Sequence, residues 1–363
     1  MQHARSCPDC DEVSEVDRAL NRREFVRRSG AVAAAASLAS TSASTFAAET
    51  SSGETPEKLV ASLYESLTPG QKQQICFDWD FIDQDQDRGL LRTHVSNNWS
   101  IVDRKRLTVG GEFFTADQRD MIEAIFFGLY NPDWHDRIRK QLQDDAGGYG
   151  KAQTIAIFGD PTAGKYQWVM TGRHCTIRCD GDSSDHVAFG GPIFYGHAAK
   201  GFYEEANHPG NVFWPQAMKA NSLYQMLDGK QREQALVKGA PYESEVGFRG
   251  PDGQFPGIPI SELAEDQKGV ARDVLATLVE PYRGESRDEA LRMLNAQGGL
   301  EACSLSFYGV DQDGGSVDVG NDGVWDVWRI EGPSFVWHFR GEPHVHVWVN
   351  VADDPSIPLN AAG

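Results

Sequence analysis

Hydrophobic positions follow a helical period in one part of the chain and a strand period in two others. A capping residue followed three positions later by glutamine marks helix starts at Thr68–Gln71, Thr115–Gln118 and Asp228–Gln231. Ala264–Gln267 is a fourth start without a capping side chain. Because their spacings are irregular, we interpret them as independent helix starts rather than an internal repeat. The periodicity also predicts helices over residues 215–227, 231–238, 265–278 and 288–296.

Strand-like segments fall into two clusters separated by this helical block. The first cluster covers residues 154–158, 167–170 and 174–179, and the second covers 304–308, 327–330, 335–339 and 344–349. No βαβ rhythm and no glycine-rich turn between a strand and a helix is present, which argues against a Rossmann or P-loop domain. We therefore predict an α+β fold, with helices packed on a largely antiparallel central sheet formed from the two distant strand clusters.

The first 48 residues are typical of a twin-arginine export leader. Arg22 and Arg23 are followed by Phe25, then by a short alanine-rich run and a plausible cleavage site near Ala47. The prediction is a leader over 1–48, a linker over 49–58, a single globular domain over 59–354 and a tail over 355–363. The twin-arginine translocase would export the protein already folded, which places it in the periplasm or outside the cell.

Charge excludes several classes of partner. The chain has a formal net charge of −19, and the leader contributes equal numbers of basic and acidic residues. Nucleic acids and anionic membranes require a basic surface, so we expect neither as a partner. No segment after the leader is apolar and long enough to cross a membrane, and we predict no membrane span in the mature protein.

Four cysteines follow the leader: Cys76, Cys175, Cys179 and Cys303. An exported protein permits disulfides, and four cysteines allow three pairings. On one strand Cys175 and Cys179 would lie about 13 Å apart, at about 3.3 Å per residue, and could not bridge each other. One disulfide and four unpaired thiols both remain open.

The strongest signal for chemistry is the segment from Pro343 to Val349. His344 and His346 project from one face of a strand about 7 Å apart, and the intervening valines face the other way. Two imidazoles at this spacing can share a transition metal when a third ligand arrives from another strand. The alternative is an ordinary solvated strand face, but the flanking valines and tryptophan indicate that both faces are covered.

The preceding strand decides whether His338 joins this pair. A four-residue loop over 340–343 pairs Phe339 with His344, whereas a five-residue loop places His338 opposite His344. The alternating aromatic residues favour the four-residue loop. His174 and His197 are the other candidate ligands, and His174 would lie on a central strand of the first cluster.

Other catalytic or metal-binding signatures are weak. There is no nucleophile elbow and no His-Glu-X-X-His motif. The acidic run 83–89 has its glycine one place late for a calcium loop and has His94 where a bidentate glutamate belongs. The acidic loop 311–323 has no regular ligand spacing. We interpret both as solvated acidic loops and do not expect calcium.

An ordered set of motifs resembles one known family. The motifs are Ile157-Phe158-Gly159-Asp160-Pro161, Trp168, Gly172-Arg173-His174, Pro192-Ile193-Phe194-Tyr195-Gly196, Arg329-Ile330-Glu331-Gly332-Pro333 and His344-Val345-His346. Together they resemble the family called domain of unknown function 3500, over about residues 59–354. The resemblance singles out His174, His344 and His346 and implies no reaction. Two departures are Arg173, where the family typically has histidine, and the position of Trp348.

Two functions follow from the sequence as hypotheses. The first is an exported protein that binds copper or zinc through His174, His344 and His346, with His197 or His338 as an occasional fourth ligand. Such a protein could be a metal-dependent oxidoreductase or hydrolase. The second is a non-catalytic module that binds an unknown small organic ligand. The walls of its pocket would be aromatic: Trp168, Phe194, Tyr195, Trp337 and Trp348.

Overall fold

The computed structural model describes residues 54–198, 211–311 and 314–362, and residues from Thr55 onwards form one compact unit. The predicted twin-arginine leader lies outside the described residues. The described part contains eight α-helices: α1 (Pro56–Ser66), α2 (Pro69–Ile75), α3 (Ala116–Gly128), α4 (His135–Ala146), α5 (Trp214–Met226), α6 (Gly229–Ala235), α7 (Glu265–Val279) and α8 (Gly284–Ala296). These include helices at all four predicted starts.

The strands of the described part build one large sheet and two small ones. In chain order they are β1 (Cys76–Phe77), β2 (Ile82–Asp83), β3 (Gly89–Leu90), β4 (His94–Val95), β5 (Thr154–Asp160), β6 (Lys165–Gly172), β7 (Cys175–Cys179), β8 (Ile193–His197), β9 (Leu236–Val237), β10 (Ile258–Pro259), β11 (Ser304–Tyr308), β12 (Val327–Gly332), β13 (Phe335–Arg340), β14 (Val345–Val351) and β15 (Asn360–Ala361). The large sheet has the order β1-β5-β6-β7-β8-β14-β13-β12-β11-β10, with β9 also paired to β11. The sheet is mostly antiparallel, and the predicted α+β fold is confirmed.

The two predicted strand clusters meet at the centre of the sheet. The contact is between β8 and β14, which pair antiparallel with Val347 opposite Tyr195 and His346 opposite Gly196. β8 is not among the strands that the pattern predicts, and its short sequence contains a glycine, which is unfavourable in a strand. It supplies the edge through which the first cluster joins the second.

Each face of the central sheet is covered by a different layer. The helices pack on one face, where residues such as Trp168, Tyr195 and Trp337 belong to the main hydrophobic core. Irregular segments cover the other face and contribute Val95 and Val246 to smaller clusters. Because both faces are covered, the strands are buried along nearly their whole length.

The four helix starts are not independent, and that interpretation was wrong. The Gln71 side chain donates to Gln118 Oε1 at 2.8 Å, and the Gln231 side chain donates to Gln267 Oε1 at 2.8 Å. Each glutamine also accepts from the backbone N–H three residues before it, as the pattern predicts. The two pairs are separated by 47 and 36 positions in the chain, so loops of different length conceal the repeat.

The two halves of the large sheet repeat the same pairing. β1 runs parallel to β5, which is followed by antiparallel β6, β7 and β8, while β9 runs parallel to β11, which is followed by antiparallel β12, β13 and β14. The registers agree, and they place three pairs of residues at equivalent positions: Cys76 and Leu236, Ile157 and Phe307, Trp168 and Trp328. The domain is therefore an internal duplication whose halves meet at β8 and β14.

The question of disulfides is settled for the four cysteines after the leader. Cys76, Cys175, Cys179 and Cys303 are all free thiols. Burial raises the pKa of the Cys175 and Cys303 thiols to about 12, so both are protonated at neutral pH. No helix in the described ranges is long and apolar enough to cross a bilayer.

Candidate metal centre

Three buried histidines converge where the two halves of the sheet meet. The Nε2 atom of His174 lies 3.2 Å from that of His344 and 3.1 Å from that of His346. The Nε2 atoms of His344 and His346 are 3.0 Å apart. We call these residues the histidine triad. It could hold a metal ion, and the rest of the described chain contains no other group of three potential ligands as close together.

His174 belongs to a turn and not to the predicted strand. Gly172 and Cys175 form the last pair between β6 and β7, which leaves Arg173 and His174 as a two-residue hairpin turn. His174 has a φ of 49°, a left-handed conformation that few residues other than glycine adopt. The backbone N–H of His174 donates to Asn98 Oδ1 at 3.1 Å, which helps to hold this conformation. The turn directs the imidazole over β8 towards β14.

The hairpin carrying the other two histidines has neither of the registers considered from the sequence. Phe339 pairs with Val347 and Arg340 with His346, so the predicted pairing of Phe339 with His344 is wrong. The aromatic residues of β13 share the helix-covered face with the valines of β14. His346 of β14 is on the opposite face with Trp348, and His344, one residue before β14, contacts it there. Because both faces are buried, burial alone could not select the register.

Gly196 provides the surface on which the His174 ring lies. A Cβ atom at this position would be 3.2 Å from Cδ2 of His174 and 2.2 Å from the carbonyl oxygen of Val345. Phe194, two residues before Gly196 on the same face of β8, also contacts the triad, with its ring centroid 5.2 Å from that of His346. The absence of a side chain at Gly196 therefore allows a ligand from the first half to reach β14.

Two buried carboxylates contact the Nδ1 atoms of two triad histidines. Asp145 Oδ2, at the end of α4, lies 3.0 Å from His174 Nδ1, and both side chains are fully buried. Glu243 Oε2 accepts from His346 Nδ1 at 2.9 Å and from Trp348 Nε1 at 3.0 Å. The other Glu243 oxygen forms an ion pair with Arg340. Carboxylates in this position orient metal-binding imidazoles and increase their basicity.

The electrostatics keep the triad uncharged. Burial lowers the pKa of His174, although the neighbouring Asp145 acts in the opposite direction. Burial holds the pKa values of His344 and His346 well below the usual histidine value, and His174 and Arg340 add to the effect on both residues. Burial raises the pKa of Asp145, but the adjacent His174 outweighs it and the net shift is downwards. At neutral pH the imidazoles are neutral and the carboxylate is ionised.

Proton positions show why a cation suits this arrangement. An ionised carboxylate can only accept, so His174 and His346 carry their protons on Nδ1 towards Asp145 and Glu243. Their Nε2 atoms then present lone pairs to each other at 3.1 Å. Such a contact is repulsive unless a cation lies between the nitrogens. Three nitrogens on a tetrahedral zinc ion, each about 2.0–2.1 Å from the metal, would lie about 3.3–3.4 Å apart, close to the observed spacings.

The two remaining candidate histidines are not in the triad. His197 pairs with Val345 and therefore projects from the helix-covered face, where its Nε2 lies 3.5 Å from Asp144 Oδ2. His338 lies on the triad's face of the sheet but contacts Arg329, whose Nε is 3.3 Å from His338 Nδ1. Both side chains are buried.

Several residues of the centre are missing from the sequence-based candidates. Asp145 follows the last amphipathic turn of α4 and resembles a solvated helix end. Glu243 lies in an irregular segment with no periodic pattern. His174 was among the candidates, but no local pattern placed it in the turn after Gly172. Carboxylates that act through a histidine are placed by tertiary contacts, and no local pattern marks them.

Comparison with known families agrees with the motifs found along the chain. The family model described as protein of unknown function, DUF3500, matches residues 49–350. The chain belongs to the DUF3500 family. The matched range includes the whole triad, Asp145 and Glu243. No curated protein and no solved structure matches this DUF3500 chain.

Proposed function

We propose that this DUF3500 protein is an exported metalloprotein that binds one transition-metal ion through the Nε2 atoms of His174, His344 and His346. The observation that carries the proposal is the convergence of three neutral, buried imidazole nitrogens within 3.2 Å of one another. The buried carboxylates behind two of them support it, because they are the usual partners of metal-binding histidines.

Copper and zinc suit the ligand set best. All three protein ligands are imidazole nitrogens, which these metals favour, whereas calcium and magnesium prefer oxygen. Three protein ligands leave at least one coordination position for water or substrate, as in catalytic rather than structural zinc sites. A bound metal would supply either an activated water for hydrolysis or a redox centre for electron transfer. The protein's own residues hold the imidazoles neutral and exclude bulk water.

The alternative of an aromatic-walled binding pocket has less support. The five aromatic residues proposed as its walls are all buried. Trp168, Tyr195 and Trp337 belong to the core beneath the helices, whereas Phe194 and Trp348 pack on the other face of the sheet. Residues divided between two faces cannot line one pocket.

Metal analysis of untagged protein tests the proposal. Protein purified after export should contain close to one equivalent of copper or zinc, measured by elemental analysis. After removal with a chelator, it should take up one equivalent on titration. His174→Ala, His344→Ala and His346→Ala should each lose most of this capacity. His186→Ala is the matched control, because His186 is exposed and pairs with Asp353 away from the triad.

Two results would refute the proposal. The first is a wild-type protein that contains no metal and takes up none of the metals offered. The second is a set of triad variants that bind as much metal as His186→Ala. Circular dichroism of the metal-free variants is needed in either case, to show that each protein is folded.

A further inference from the structure

A second group of buried polar side chains lies beside the triad. It consists of Arg329, Glu331 and His338, which we call the Arg329 cluster. These residues are 1%, 3% and 1% exposed. Burial of an arginine and a glutamate carries a large desolvation cost, so complete hydrogen bonding is expected around them.

Strand register places this cluster on the same face of the sheet as the triad. Arg329 on β12 pairs with His338 on β13, and His338 pairs with Trp348 on β14. Trp348 is two residues from His346 and shares its face. With about 4.8 Å between strands and about 3.4 Å per residue, the Cα atoms of His338 and His346 are about 8 Å apart. The cluster is therefore a neighbour of the triad.

Hydrogen bonding within the cluster is incomplete. Arg329 Nε lies 3.3 Å from His338 Nδ1, and Arg329 Nη1 lies 3.9 Å from Glu331 Oε1. Arg249 adds a 2.7 Å ion pair to the same Glu331 oxygen. Within the described residues, there is no hydrogen-bond partner for Arg329 Nη2, His338 Nε2 or Glu331 Oε2. Each residue of the cluster therefore has one buried polar atom whose hydrogen bonding the described part of the chain does not satisfy.

The tautomer of His338 determines which kind of ligand the cluster can bind. Arg329 Nε–H can only donate, so His338 Nδ1 is the acceptor and the neutral ring carries its proton on Nε2. Burial and the adjacent Arg329 hold the pKa of His338 well below its usual value, which keeps the ring neutral. Arg329 Nη2–H and His338 Nε2–H are then two unused donors, one of them on a cation. Such donors suit an anionic oxygen ligand.

The internal repeat provides a comparison within the same chain. The residues of the first half equivalent to Arg329, Glu331 and His338 are Val169, Thr171 and Arg178, as the registers show. Val169 packs in a hydrophobic cluster on the same face of the sheet, whereas Thr171 and Arg178 are buried and polar. The fold therefore accepts an apolar residue in place of Arg329, and the buried arginine at this position is not a requirement of the architecture.

We propose that the Arg329 cluster is a binding site for a small oxyanion of the carboxylate class. Arg329 and His338 donate to the oxyanion from the face of the sheet that carries the histidine triad. The site does not require a metal in the triad. A substrate whose carboxylate binds the Arg329 cluster would have its remaining atoms directed at the triad. Only this statement about a substrate rests on the proposed function.

Calorimetric titration of metal-free protein with acetate and formate tests the site. Removal of the metal with a chelator prevents anion binding at the triad itself. Wild-type protein should show saturable binding at constant ionic strength, and Arg329→Met should weaken it by at least about tenfold. Arg139→Met is the matched control. Arg139 is exposed and pairs with Glu123, which is not part of the cluster, so its removal should leave carboxylate affinity nearly unchanged.

A second variant covers the case in which Arg329→Met does not fold. His338→Phe removes the Nε2 donor, keeps the ring volume and leaves Arg329 in place, and it should also weaken acetate binding. Binding that is equal in wild type and both variants, that never saturates, or that is absent from wild type would overturn the proposal. These outcomes indicate an adventitious ion only, or a purely structural cluster. None of them bears on metal binding by the triad.

Discussion

His174 and His346 are 172 positions apart in the chain, yet their Nε2 atoms lie 3.1 Å apart. The first belongs to the β6–β7 turn of one half of the duplication and the second to the β14 strand of the other half. The position equivalent to His174 in the second half is Ser334, in the turn after Gly332. A histidine triad can therefore form at only one of the two equivalent turns, and its formation requires contact between the two halves.

The carboxylate behind His174 should control metal affinity. Asp145→Asn keeps the volume of the side chain but removes the charge that orients the imidazole, so metal affinity should fall about 10–100-fold. Equilibrium dialysis against zinc measures the change. Asp144→Asn is the matched control, because the neighbouring Asp144 contacts Lys140 and His197, neither of which belongs to the triad. An Asp145→Asn protein that binds zinc as tightly as Asp144→Asn would show that the carboxylate has no such role.

Gly196 should be intolerant of any side chain. Gly196→Ala would place a Cβ atom 2.2 Å from the carbonyl oxygen of Val345, so β8 or β14 must shift. We expect the free energy of unfolding to fall by about 1–3 kcal/mol and metal affinity to fall with it. Gly229→Ala is the control, since no atom lies within 4 Å of its added Cβ. Chemical denaturation compares the two, and equal stabilities would contradict the role assigned to Gly196.

Metal binding should persist to a lower pH than at an ordinary histidine site. Protons compete with the metal for Nε2, and an unperturbed histidine has a pKa of about 6.5. The pKa values of all three triad residues are lowered, chiefly by burial, so the imidazoles remain neutral below that value. Zinc affinity should therefore be nearly constant from pH 7.5 to 6.5 and should fall only at lower pH. A loss of about tenfold or more already between pH 7.5 and 6.5 would contradict this.

Local features of this fold could be predicted from the sequence, and long-range features could not. Thr68 and Gln71 cap a helix through contacts within four residues, so the motif alone shows the helix start. The pairing of Gln71 with Gln118 depends on how two helices pack, and the sequence contains no sign of it. The predicted register of β13 against β14 was wrong for a related reason. Both faces of that hairpin are buried, so the alternation of residues along the strands does not favour one register over another.

The candidate site shows the same difference between local and long-range features. His344 and His346 could be identified because two residues on one strand share a face whatever the rest of the fold does. His174 was a candidate from its place in the first strand cluster and from the family motif, but its turn conformation and its reach across β8 depend on Gly196 and Asn98. Glu243 could not be found, since nothing in its irregular segment marks a residue that acts through His346.

Export by the twin-arginine route is the prediction that connects the leader, outside the described residues, to the triad. A site assembled from two halves of a folded domain can be loaded with metal before export only if the translocase accepts folded protein. Replacing Arg22 and Arg23 with lysine should therefore leave the precursor in the cytoplasm, as measured by fractionation and immunoblotting. Replacing Arg5 and Arg18 with lysine makes the same chemical change before the motif and should leave export intact. Mature protein that still reaches the periplasm from the Arg22→Lys, Arg23→Lys precursor, or from wild type in a strain without the translocase, would refute this route.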